Sequence, residues 1–388
     1  MIQLSKGVSF AYKVLRSSAA KMYYLRADFE FDESNRNALK KLHPIKTVDK
    51  EVFNAHKKMW LGWSASAFLS KRSLHLYRTL SGIQTPKFLP INVYFTTVNP
   101  ILNNKMMAWA FAQKGNYYQL FGVDNEPVTI LRNLNGLFFD FKGNNINSPK
   151  DFLETELKKL KKIIIKPASE SWGGRNVLSF EKNLSGEWKC INNKRINLEL
   201  SDLDTIYNNN YVIQEYLEQH PFYKKLNPTS FNTLRVYVYR SVTDQVPHVL
   251  HTMLRVGRAG SLVDNVKAGG IGFYVMPDGR LLHGFDHDYR RVEWIPGDPS
   301  IKLSDLGTLP GLKDIHDLAL FVATKIPYSR VVAFDINIDS DEKPRLIELN
   351  TFYPGLAMQV YGFPFFGEFT DEVISYCKEQ KKNDYLMI

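Results

Sequence analysis

Apolar and polar residues alternate most clearly between Val331 and Gly355, in VVAFDINIDSDEKPRLIELNTFYPG. Phe334, Ile336 and Ile338 point to one side of an extended chain, Asp335 and Asn337 to the other. A second alternating run, Arg345 to Asn350, puts Glu348 and Asn350 on a shared face. The polar stretch between them, Asp339 to Pro344, has the composition of a turn. The pattern predicts a hairpin with Asp335 opposite Glu348, their Cβ atoms about 5 Å apart. Two like charges at that spacing repel, and a bound cation would relieve the conflict. Two carboxylates and an amide oxygen are hard ligands, suited to Mg²⁺ carrying phosphates. The other reading of the same pattern is a solvated polar face on an edge hairpin.

Elsewhere the pattern is mixed. Residues 1 to about 85 read as mostly helical and basic. Within them, Ala55 to Ile83 interleaves Trp60, Trp63, Phe68, Leu69, Leu74, Leu76 and Leu80 with Lys and Arg. That suits a helix pair packed on the main body; an interfacial membrane helix is the alternative. Ile91 to Thr96 reads as a strand, and Pro100 as the start of a helix running through Ala112. A strand is expected over Pro127 to Leu131, a hairpin over Leu134 to Phe141, and a capped helix after Ser148.

Lys162 to Asn176, KIIIKPASESWGGRN, predicts a strand, a glycine loop and a second strand, Val177 to Phe180. Glycines let backbone N–H groups approach phosphates. A P-loop or a dinucleotide fingerprint would need a helix after the glycines, and none is expected here. Lys166 closes an isoleucine run, where a lysine needs an anion or an exit to solvent. Further strands are expected at Tyr211 to Leu217, Leu234 to Tyr239, His248 to Val256 and Phe273 to Met276. Leu312 to Lys325 is the clearest amphipathic helix, and Phe369 to Gln380 closes the chain as another.

Composition narrows the class. The 388 residues are 44% hydrophobic and 23% charged, an ordinary globular balance with room for two or three domains. Cys190 and Cys377 lie far apart and form no metal-spacing pattern, which fits a reducing compartment. No run reaches the length needed to span a bilayer, and basic residues interrupt the N-terminal stretch. A cytoplasmic protein is expected, with peripheral contact at the inner face of a membrane as an additional reading. The net charge of +10 favours anionic partners. Nucleic acid ranks low, because no zinc-finger, RNA-recognition or basic low-complexity signature is present.

From about Lys114 to the C-terminus the chain resembles the ATP-grasp superfamily, and within it the sugar-transfer-associated ATP-grasp family of polysaccharide gene clusters. The motifs that carry this are QKGNYYQLF, IIIKPASESWGGRNV, VIQEYLE, NPTSFNTLRV, LRVGRAGSLVDNVKAGG, VVAFDINI and LIELN. Each is weak alone; their order makes the resemblance specific. It implies an α+β protein, with two α/β subdomains clasping ATP after a mostly helical N-terminal region. The expected boundaries are 1–113, 114–217 and 218–388.

The resemblance also implies roles. Lys114 and Lys166 contact nucleotide phosphates, and Gly173 and Gly174 let the loop close over them. Gln214, Glu215, Tyr216 and Leu217 line the adenine, with backbone groups of Tyr216 and Leu217 reading its edge. Glu218 holds the ribose, and Asn265 sits in the same pocket. Asp335, Glu348 and Asn350 carry Mg²⁺, and Arg235 and Arg255 face the γ-phosphate. The implied reaction is ATP-dependent ligation of a carboxylate, here an acidic sugar, to an amino acid or other amine. A kinase acting on a sugar or polyol, or a non-catalytic nucleotide- or glycan-binding module, are the alternatives. One position departs from relatives that ligate glutamate: Thr233 stands where they carry Asp in Asp-x-Arg. The acceptor side is therefore expected to differ.

His283-Gly284-Phe285-Asp286-His287-Asp288 looks like a metal cluster, but spacing without geometry is poor evidence, and the stretch reads as a solvated loop or, alternatively, as acceptor-facing. Trp172, in the glycine loop, reads as a hinge anchor or as a lid.

Overall fold

The structure, a computed structural model, describes residues 6–122, 125–169 and 176–380. The glycine loop with Trp172, Gly173 and Gly174 lies outside the described residues. The chain divides into two compact units. One comprises residues 1–106, 239–246 and 353–388; the other comprises 107–238 and 247–352.

The first unit is helical. It contains α1 (Lys6–Leu39), α2 (Lys50–Trp60) and α3 (Arg72–Ser81). Trp60, Trp63, Leu69, Leu74 and Leu76 are buried, so Ala55 to Ile83 packs its apolar residues inside the fold, as expected of a helix pair. Next come α4 (Ile91–Val93), a π turn (Tyr94–Val98) and α5 (Asn99–Leu102), running on as one helix.

The expected strand at Ile91 to Thr96 is therefore incorrect, although β-branched and aromatic residues suit extended chain. Asn92, Val93, Tyr94, Thr96 and Thr97 are all buried, and Asn92 donates to Asp28 at 2.7 Å and to the Phe68 carbonyl at 3.1 Å. Tertiary burial overrides propensity here. The expected Pro100 to Ala112 helix is also two pieces, because α5 stops at Leu102 and α6 (Lys105–Phe111) follows. The Asn99 N–H bonds Tyr94 O, a wider closure placed just before Pro100, whose ring the ordinary helical pitch would crowd.

The second unit holds two large antiparallel sheets. The first is built from β1 (Thr129–Leu134), β2 (Leu137–Phe139), β3 (Lys162–Pro167), β4 (Leu178–Lys182), β5 (Trp188–Cys190) and β6 (Asn210–Glu215), in the order β2-β1-β6-β3-β4-β5. Ile163 and Ile165 of β3 bury against Leu153 and Leu157 of α8 (149–157) and Leu203 of α9 (200–207), after α7 (117–121). The period of two sends Lys166 to the opposite face.

The second sheet takes β7 (Thr233–Arg240), β8 (Pro247–Val256), β9 (Ile271–Val275), β10 (Leu281–Phe285) and β11 (Arg291–Val292). After the small ribbon β12 (Trp294–Ile295) and β13 (Asp298–Lys302) come β14 (Val331–Ile338) and β15 (Pro344–Asn350). The sheet runs β11-β10-β9-β8-β7-β14-β15. Helix α10 (Pro221–Leu226) precedes it in sequence, and α11 (Leu312–Thr324) covers one face. In α11 the buried residues Ile315, Leu318, Ala319, Val322 and Ala323 form a single helical stripe. With Phe334, Ile336 and Leu349 they join the larger core, leaving the other face of the sheet for chemistry.

Candidate active site

The predicted hairpin forms, and Asp335 pairs with Glu348 in register. Beyond that pair Ile336 faces Leu346, so β15 carries a bulge at Ile347. The bulge keeps Leu346 and Leu349 both in the core while Glu348 and Asn350 share the face of Asp335. The Ile347 carbonyl meets Lys166 Nζ at 3.5 Å.

Strands β8, β7, β14 and β15 are neighbours, and each carries one charged residue of the site: Arg255, Arg235, Asp335 and Glu348. Arg235 grips Asp335 with two bonds, Nε to Oδ1 at 2.8 Å and Nη2 to Oδ2 at 2.7 Å. Arg255 Nη2 lies 3.0 Å from the same Oδ2. Lys114 Nζ pairs with Glu348 Oε1 at 2.7 Å and donates to the Ser169 carbonyl at 3.3 Å, beside the glycine loop. The repulsion expected between Asp335 and Glu348 is thus answered by cations of the chain itself.

Burial pushes the Asp335 carboxyl up, but Arg235 and then Arg255 outweigh it and hold it below the usual range. Burial likewise opposes the Arg235 charge, and Asp335 more than restores it. Lys166 has no such rescue. Burial, then the neighbouring Lys114, push it down to about 8 against the opposing pull of Glu348 and Glu126.

Asp264 belongs to this site and was not singled out from sequence. Its Oδ2 accepts from the Thr233 N–H at 2.9 Å and from the Thr233 hydroxyl, and its Oδ1 lies 3.1 Å from Arg255 Nη2. Arg255 also donates to the Thr233 hydroxyl at 2.9 Å. Thr233, standing where the resemblance expects a carboxylate, thus binds a loop carboxylate. The loop holds this pose through Gly270, where an added Cβ would meet the Val256 and Asp264 carbonyl oxygens at 2.8 and 3.0 Å. Asn265 lies in the same loop, its carbonyl accepting from Gly270 at 3.1 Å. Asp264→Asn keeps an acceptor for Thr233 but removes the charge facing Arg255. It should lower ATP turnover on the order of 10- to 100-fold while shifting the melting temperature little. Full turnover in that variant would take Asp264 out of the site.

A second residue the sequence reading passed over is Arg132, on the same sheet face as Lys166 with Val212 between them in register. It is fully buried, donates to the Phe141 carbonyl at 2.7 Å, and has Glu126 at 3.7 Å. Its Nε and Nη1 have no hydrogen-bond partner among the described residues.

The other expected residues fall at the end of β6 and on the connection that follows it. Gln214 is buried and donates to the Thr129 hydroxyl at 2.9 Å, so its side chain is engaged within the sheet. Burial raises the Glu215 carboxyl and the Tyr216 phenol, and Lys162 sits over the Tyr216 ring. Strand β6 stops at Glu215, leaving Tyr216, Leu217 and Glu218 as connecting chain. Glu218 pairs with Lys224 at 3.2 Å and lines a cleft of about 460 Å³ with Gln219, Pro221, Lys225 and Ser340.

The donor set of the hairpin suits Mg²⁺. Glu348 and Asn350 share a face with Asp335, and the Asn350 side-chain nitrogen is buried without a hydrogen-bond partner among the described residues. Among the described residues no hydrogen bond thus fixes which way that amide points, and its oxygen can turn toward a cation. No cluster of three or more His, Cys, Asp or Glu is placed to hold a metal among the described residues. The solvated loop expected over 283–288 is corrected in its first half: His283 to Phe285 end strand β10, with Phe285 buried, while Asp286 is used locally and accepts from the Asp288 and Arg290 N–H groups.

The family model for sugar-transfer associated ATP-grasp matches residues 132–368, more than half of the sequence. The chain belongs to this family. The ATP-grasp fold and the use of ATP follow at family level, with helices preceding antiparallel sheets.

Among solved structures, this family member is similar to the ATP-grasp ligase PsnB in complex with a minimal precursor. That match has 15% identity and TM-score 0.36, and covers 70% of this chain and 61% of that one. D-cycloserine synthetase DcsG matches at 14% identity and TM-score 0.37, covering 73% and 74% of the two chains. D-alanyl-alanine synthetase A from Vibrio cholerae matches at 10% and 0.39, covering 72% and 67%. Among curated proteins none matches this ATP-grasp chain.

Proposed function

We propose that the protein is a cytoplasmic ATP- and Mg²⁺-dependent carboxylate–amine ligase. On this reading it joins an amino acid or other amine to an acidic sugar during surface polysaccharide biosynthesis. The observation that carries it is the charged row Arg255, Arg235, Asp335 and Glu348 on four adjacent strands, with Lys114 and Lys166 beside its end. Phosphoryl transfer needs charge neutralisation and alignment more than covalent help from a protein.

In the proposed reaction a substrate carboxylate oxygen attacks the γ-phosphorus. The bond from that phosphorus to the β-bridging oxygen breaks, and ADP leaves. The amine then attacks the acyl carbon and phosphate departs, leaving an amide; the amine gives up a proton to solvent or a nearby carboxylate. Lys114 and Lys166 hold the triphosphate, while Glu348 exchanges Lys114 for the ligand. Arg235, kept charged by Asp335, and Arg255, paired with Asp264 and Asp335, face the transferred group. Glu218 receives the ribose in the cleft it lines, and Tyr216 and Leu217 offer backbone groups to the adenine. Gly173 and Gly174 close over the phosphates, and Asn265 lies at the same pocket. Asp335, Glu348 and Asn350 would hold Mg²⁺, which supplies charge neutralisation to the phosphates when bound.

The test is phosphorus NMR of MgATP with the protein, uronic-acid sugars (free and nucleotide-linked) and common amino acids. Phosphate should rise in step with ADP only when both a carboxylate and an amine are present. ADP with a new phosphoester signal would make the protein a kinase and end the ligase reading. Absence of turnover with every pair would point to a binding module.

A further inference from the structure

We propose that α1 is a docking helix for an anionic lipid bilayer, lying along its surface. One side of α1 is committed to the protein: Ala27, Asp28, Ala38 and Leu39 are buried. The opposite side carries Leu15, Met22, Leu25 and Phe29, exposed by 70%, 71%, 43% and 58%. Their spacing of seven, three and four residues is that of one helical stripe, about 21 Å long from end to end. Soluble surfaces scatter large apolar residues singly; a continuous exposed stripe calls for a cover. Phe29 touches Phe68 with ring centroids 5.3 Å apart, and its ring remains more than half exposed.

Charge selects the cover. The segment carries Lys6, Lys13, Arg16, Lys21 and Arg26, and no Asp or Glu before Asp28. A second copy of the helix would set like charges against one another, whether packed parallel or antiparallel. A nucleic acid would leave the apolar stripe in water. An anionic bilayer surface satisfies both features, taking the stripe at its acyl boundary and attracting the segment by its net positive charge. No helix among the described residues is long and apolar enough to cross a membrane, so the contact is peripheral. It would hold the protein where lipid-borne acceptors lie, and it stands whether or not the ligase reading does.

The experiment is co-sedimentation of the full chain with vesicles of phosphatidylglycerol and phosphatidylcholine, and with pure phosphatidylcholine, at low and high salt. Binding to the anionic vesicles alone, weakened by salt, is expected. Each basic residue near such a surface is worth roughly fivefold in affinity. Lys13→Glu, Arg16→Glu and Lys21→Glu together should therefore weaken binding by at least about 100-fold. Met22→Ser with Phe29→Ser should weaken it about tenfold or more. Both sets change no buried side chain described here, and unchanged circular dichroism and melting would verify that the fold is intact. The proposal is overturned by failure to sediment with anionic vesicles, or by binding that survives both sets of changes. A lipid-independent dimer that Met22→Ser with Phe29→Ser dissolves would assign the stripe to a second copy instead.

Discussion

Lys166→Met should abolish most ATP turnover and, at the same time, make the protein harder to unfold. The two effects have one origin. Lys166 is held at about 8, down from 10.5, by burial and by Lys114. A displacement of that size corresponds to roughly 3 kcal/mol of opposition to the charged form. Methionine fills similar space without a charge, so a gain of about 1–3 kcal/mol in unfolding free energy is expected at pH 7. The sign follows from the lowered value. Below about 8 the lysine is charged in both folded and unfolded chains, and the full cost of burying it is present. Between about 8 and 10.5 only the unfolded chain holds the proton, so the folded state gains as pH rises. The advantage of the methionine variant should therefore shrink across that window and vanish above it. Loss of one phosphate-binding cation should lower kcat/KM for ATP on the order of 10²–10³. Urea melts at pH 7 and pH 10, read beside phosphate release, decide the matter. A methionine variant that is less stable at pH 7, or that keeps its turnover, would remove Lys166 from its assigned role.

Asp335 should behave in the opposite way. Asp335→Ala strands Arg235, whose Nε and Nη2 both bond that carboxylate. Breaking such a buried pair from one side costs roughly 3–5 kcal/mol. Arg255 is less affected, because Asp264 remains 3.1 Å from its Nη2. Replacing both partners, as Arg235→Met with Asp335→Leu, should recover stability to within about 1 kcal/mol of the parent, since apolar side chains of like volume substitute well for buried ion pairs. Turnover should stay absent in the double variant. If the single change leaves the urea midpoint unmoved, the pair contributes nothing to stability. If the double variant turns over ATP, the row is scaffold and the chemistry lies elsewhere.

What could be read from the sequence was whatever local periodicity fixes. A period of two placed Asp335 against Glu348, and the structure pairs those two residues. The isoleucine run marked Lys166 as a lysine in need of an anion, and the structure buries it within reach of Glu348 and Glu126. What escaped depends on contacts distant along the chain. The strand expected at Ile91 to Thr96 is a helix with a π turn, because Asn92 is drawn to Asp28. The bulge at Ile347 breaks the alternation that would have extended the register. Asp264 was invisible because its partner Thr233 is 31 positions away, and only the folded loop brings them together. The one available clue was the departure at Thr233 itself, from which only a different acceptor side was expected. Gln214, expected beside the adenine, spends its amide on Thr129, which no local pattern announces.

The position of Asp264 bears on how such proteins can diverge. Asp335 sits in the middle of a strand and cannot be moved without rebuilding the sheet. Asp264 hangs on the loop between β8 and β9, a segment tolerant of exchange. One of the two carboxylates that face Arg255 is thus heritable as a cassette, separable from the strands that carry the rest of the charged row. A lineage can replace that loop, shift the charge by an ångström or remove it, and try new acceptors while keeping its ATP chemistry.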